Sequence, residues 1–107
     1  MNKKVAKKHL VKAEKEYRIL YDKRVEARTR IIRYEEFCKN CLGFIPHFEC
    51  QKFINEDLWQ AEKLGVRDTV LGMMDELRTM WDTWHAMLNR ESALEQYIDS
   101  LKVVLGY

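Results

Sequence analysis

The chain has 107 residues, 47% of them hydrophobic and 34% charged, with four glycines and one proline. That is enough for one modest core, short for two, and too apolar for a disordered chain. No apolar run approaches a bilayer span, and the lysine-rich start lacks the apolar stretch of a secretory signal, so the expected home is a reducing cytoplasm with no membrane contact. The net charge of +2 hides a division: residues 1–35 hold twelve Lys or Arg against five Asp or Glu, and residues 36–107 hold seven against twelve.

From about residue 2 to 40 there is neither proline nor glycine. Leu10, Ala13, Tyr17, Leu20, Ala27, Ile31, Tyr34, Cys38 and Cys41 recur by three and four on one heptad frame, with Arg24 the one charged member. This predicts a long basic helix packed along its length, about 55 Å at 1.5 Å per residue. Val11, Val25 and Ile32 add a sparser second stripe.

Residues 41–65 read as a bend with short helices. Pro46 is placed to open a turn through about Ile54, Asn55 to cap Glu56–Leu64, and Gly65 to end it. Phe53, Ile54, Leu58, Ala61 and Leu64 supply its apolar face. All three cysteines of the chain fall near this bend, spaced Cys38-x2-Cys41-x5-His47-x2-Cys50. Two short-range pairs of soft or borderline ligands form the donor set of a structural zinc site, which would staple the bend. The competing reading is reduced thiols buried on the helical seam, with His47 an ordinary loop residue. Three cysteines cannot all pair, which disfavours disulfides.

From 66 to 105 a second long helix is expected. Val66, Val70, Met73, Leu77, Met80, Trp84 and Met87 alternate by four and three, and the frame continues through Glu91, Leu94, Ile98, Leu101 and Leu105. Ser92-Ala-Leu-Glu95 has the form of a capping box, so a break near 89–92 competes with continuity. Met74, Trp81 and Leu88 widen the face.

Together these elements predict a single all-α domain, 1–107: a long antiparallel, coiled-coil-like helical hairpin padded by one or two shorter helices. The result is a three- to four-helix bundle, self-contained or completed by dimerisation.

The sequence has no HExxH, GxxxxGK[ST] or GxGxxG, and its adjacent acidic pairs diverge on a helix, so catalysis is not expected. His9 belongs to a lysine-rich helix start, and His85 is placed near a helix end. The leading expectation is a non-enzymatic protein that binds another protein, as adaptor, assembly factor or inhibitor. Met73, Met74, Met80, Trp81, Trp84 and Met87 are its candidate docking residues, against a plainer reading of them as core. The second expectation is a nucleic-acid-binding module in which Lys4, Lys8, Lys12 and Lys15, on one helical face, meet phosphates. The charge division fits pairing of the basic helix with acidic segments of the same molecule or a second copy, or attraction of a polyanion.

Overall fold

A computed structural model describes residues 2–107. It contains three helices, α1 (Lys3–Leu42), α2 (Gln51–Leu64) and α3 (Arg67–Leu105), with no strand among the described residues. The two long helices pack against each other as an antiparallel hairpin. None of the three is long and apolar enough to cross a membrane.

Each helix end has a local cause. Asn2 caps α1 by accepting a 2.9 Å hydrogen bond from the Val5 N–H. At the end of α2, Gly65 adopts a left-handed φ of 72°, and its N–H and that of Val66 donate to the Glu62 and Ala61 carbonyls. That is a Schellman motif, and Val66 and Ala61 join the same apolar cluster, as the motif favours. Only Gly65 and Val66 therefore separate α2 from α3. The end of α3 repeats the pattern: Gly106, at φ 75°, donates to the Val103 carbonyl and Tyr107 to that of Lys102.

The chain gathers into two compact units, each containing part of both long helices. Unit 1 joins the chain up to Glu26 with Trp84–Tyr107. Its core is Ala6, Leu10 and Ala13 of α1 against Ile98, Leu101 and Leu105 of α3, with Tyr17 packed beside them. The small alanines let the helix backbones approach closely. Arg24 and Glu91 form an ion pair within this unit, and burial leaves the Glu91 side chain 6% exposed and that of Arg24 21%. Glu91 holds the guanidinium proton more firmly than usual, outweighing the opposite effect of desolvation.

Unit 2 is the continuous stretch Ala27–Thr83. Ala61, Val70 and Met74 form its interior cluster, with Leu42, Phe44, Ile54, Leu58 and Val66 packed against it. Ile31, Cys38 and Leu77 are also fully buried.

The structure changes several expected details. The inward seam of α1 passes from Cys38 to Leu42, leaving Cys41 exposed, because a 3.6-residue helix drifts from a strict heptad frame at its end. Pro46 opens no helix; it is buried in a non-helical stretch, and α2 starts at Gln51. Asn55 lies inside α2, where its side chain accepts a hydrogen bond from Gln51 instead of capping. Phe53 and Leu64 are exposed on the flank of α2. α3 runs unbroken through Ser92, because Glu91, Leu94 and Ile98 are buried on one stripe and no glycine or proline interrupts them. His85 consequently sits mid-helix, its ring edge-on to Trp84 at 5.0 Å.

Candidate functional site

The bend is built around Asp57, a buried residue on the inward side of α2. One of its carboxylate oxygens, Oδ2, accepts the His47 backbone N–H at 2.7 Å and lies 2.9 Å from His47 Nδ1. The His47 ring also lies 5.0 Å from that of Phe53, and Arg78 donates to the Phe48 carbonyl at 3.2 Å. These contacts tie the segment between α1 and α2 to Asp57 and Phe53 of α2 and to Arg78 of α3. Asp57 has no partner signal in the sequence; its only mark is a charge on the apolar face Ile54, Leu58, Ala61.

All three cysteines are free thiols. Cys38 is buried, and burial, reinforced by the neighbouring Cys41, pushes its thiol pKa up, which keeps it protonated. Cys41 and Cys50 are exposed. The structure does not bring Cys38, Cys41, His47 and Cys50 together: among the described residues no three His, Cys, Asp or Glu side chains are arranged to hold a metal ion. Cys50 stands at φ 61°, the one described non-glycine residue with positive φ, and caps α2 without a side-chain hydrogen bond.

The six Met and Trp residues divide between the units. Met73 and Met74 are buried in unit 2, so they are core and not a docking surface. Trp81, half-buried in the same unit, is covered by the Arg28 guanidinium 4.6 Å from its ring centre. Met80, Trp84 and Met87 are half-buried.

Unit 2 exposes different aromatic residues. Trp59 is 63% exposed on the outer side of α2, and the Lys63 ammonium lies 3.6 Å from its ring centre. Phe37, Ile45, Phe53 and Leu64 of the same unit also reach solvent. A single tryptophan on a polar face has no periodic signature. The available hint was the lysine four residues on, where a helix stacks one side chain over another.

The predicted lysines lie on the surface of unit 1. Lys4, Lys8, Lys12 and Lys15 are all exposed, and none makes an ion pair or hydrogen bond with a described residue. Their spacing puts like charges one turn apart, a pattern that weakens a helix by roughly 0.2–0.5 kcal/mol per pair. No acid offsets them in the first turn, the positive end of the helix dipole. Unit 1 carries eleven Lys or Arg and seven Asp or Glu, a net +4, whereas unit 2 carries eight and ten, a net −2. The basic helix start is therefore not neutralised within its own unit.

The class that fold and surface define is a three-helix protein whose two long helices pair as a hairpin. Comparison with protein-family models, curated proteins and solved structures yields no significant match.

Proposed function

We propose that this is a non-enzymatic cytoplasmic protein that binds another protein through the aromatic residues exposed on unit 2, serving as an adaptor, assembly factor or inhibitor. The observation that carries the reading is Trp59, 63% exposed yet covered by Lys63 at 3.6 Å. Large aromatic side chains are the usual energetic anchors of protein interfaces, and a ring already held by a cation loses little rotamer freedom on docking. Phe37, Phe53 and Leu64 supply further apolar area on the same unit.

The test is quantitative affinity capture with the full-length chain, comparing wild type with Trp59→Ala, followed by measurement of Kd for the recovered partner. Trp59→Ala should weaken binding by about 30-fold or more, the factor that 2 kcal/mol represents. Its helicity should be unchanged, because the ring contributes nothing to the core. A partner bound equally well by both forms, or no specific partner at all, would refute the reading. Light scattering on the same samples shows whether the partner is a second copy.

A further inference from the structure

We propose that the lysine face at the start of α1 is a nucleic-acid contact surface, in which Lys4, Lys8, Lys12 and Lys15 follow the phosphate backbone and Tyr107 provides a ring for an unpaired base. This goes beyond protein docking on unit 2 and does not rest on it.

The four lysines occur at spacings of four, four and three, on the side of the helix away from buried Ala6, Leu10 and Ala13. From Lys4 to Lys15 the helix rises about 16 Å, close to the rise of five nucleotides at 3.4 Å each. Among the described residues no acidic side chain of the unit pairs with these four lysines, although Glu16 lies one turn beyond Lys12. The α3 segment that completes unit 1 carries Glu91, Glu95 and Asp99 against Arg90 and Lys102, and Glu91 is already engaged by Arg24. Glu95 and Asp99 line a groove with Glu14, Tyr17, Arg18 and Lys102, none of them a member of the lysine face. Lys4 in the first turn of α1 opposes the helix dipole, and lysines one turn apart repel one another, a conflict that folding does not explain but an anionic partner resolves.

Tyr107 supplies the second half of the site. Its backbone is fixed by the hydrogen bond to the Lys102 carbonyl, and its side chain is 71% exposed. It lines one shallow depression with Lys3, Lys4, Lys7 and Leu105, and another with Lys7, Lys8 and Val11. A ring set among cations is the combination by which proteins hold single strands, stacking on the base while lysines meet the backbone. The surface is bounded, because Asp22 and Glu26 follow along the same side of α1. Contact is thus limited to about four or five phosphates.

The test is fluorescence anisotropy of the full chain with a labelled single strand of roughly 20 nucleotides, longer than one such site, and with the matching duplex. Salt is varied from about 50 to 200 mM. The expected slope of log affinity against log salt is about −3, from four contacts on a single strand. Lys4→Gln/Lys8→Gln/Lys12→Gln/Lys15→Gln should lower affinity by about 100-fold at low salt and flatten the slope, with helicity retained since glutamine is a good helix former. Tyr107→Ala should lower single-strand affinity about tenfold and leave the duplex unaffected. No binding at low salt, or undiminished binding by the quadruple glutamine variant, overturns the site. Polyglutamate-insensitive binding supports it, whereas displacement of the oligonucleotide by polyglutamate of equal charge assigns the surface to acidic protein and overturns it. Duplex preferred over single strand, with Tyr107→Ala silent, overturns the stacking role.

Discussion

Replacing Arg24 with methionine tests whether the Arg24–Glu91 pair sets the pairing of α1 with α3. The Glu91 side chain is 6% exposed, so losing Arg24 strands a nearly buried carboxylate. Removing one partner of a fully buried pair costs about 3–5 kcal/mol; because Arg24 itself keeps 21% exposure and admits water, we expect about 3 kcal/mol. Glu91→Gln should cost less, about 1–2 kcal/mol, since the amide still accepts from the guanidinium, which also lies 5.1 Å from the Tyr21 ring centre. The double variant Arg24→Met/Glu91→Leu, which leaves no unpaired charge, should return to within about 1 kcal/mol of wild type or exceed it. Urea unfolding measures all three: at a slope of about 1.5 kcal/mol/M, a 3 kcal/mol loss moves the midpoint by about 2 M. An Arg24→Met midpoint close to wild type, or a double variant no more stable than Arg24→Met alone, refutes the reasoning. If the pair confers specificity more than stability, the double variant will also show a less uniform hairpin, visible as broadened resonances for Leu94 and Ile98.

The thiols should react in two classes: Cys41 and Cys50 promptly with a disulfide reagent, Cys38 only on unfolding, while three protected thiols released by a chelator would instead reveal a bound metal. Because burial raises the Cys38 pKa in the folded state alone, the stability tied to its neutral thiol is whole below the unfolded value of about 8.5 and declines as pH rises beyond it. Cys38→Val should remove that alkaline decline, measured by urea midpoints between neutral pH and about pH 10. Cys50→Gly should stabilise by about 1 kcal/mol by relieving positive φ, with Cys50→Ala giving no such gain; equal effects would remove strain as the cause. Asp57→Ala should cost about 2 kcal/mol and speed hydrogen exchange at the His47 amide, and an unchanged exchange rate would show that the bend is held by other contacts.

What the sequence revealed depended on periodicity. Long apolar stripes through Leu10–Cys38 and Val66–Leu105 persist for enough turns to mark both helices and their mutual packing, and glycine at 65 marks a helix end for steric reasons. Ala6 escaped notice because a lone alanine among lysines looks like surface, although its small side chain is fully buried against α3. The capping box at Ser92 is a local preference worth about a kilocalorie, outweighed by the buried stripe that carries the helix through it. Spacing marks the cysteine cluster but not the burial of each thiol. Cys38 and Cys41 are three residues apart and therefore about 60° apart around α1, enough for one thiol to enter the core while the other meets solvent. Trp59 and Asp57 acquire their meaning only from neighbours that folding supplies, Lys63 above the one and the His47 amide beside the other.

The two units differ in how the chain must close to make them. Unit 2 is one unbroken stretch from Ala27 to Thr83, whereas unit 1 requires residues near one end of the sequence to meet residues some eighty or ninety positions away. Closing long loops is entropically costly and slows folding, so the expected order is unit 2 first and unit 1 afterwards, once α3 exists as a template for α1. Pulse-labelled hydrogen exchange would show this as early protection at Leu77 and Val70 and late protection at Leu10 and Ala13. During synthesis the lysine-rich start of α1 emerges before the stretch of α3 that it packs against, so it stands as an unpaired amphipathic cation until residues 84–107 have been made.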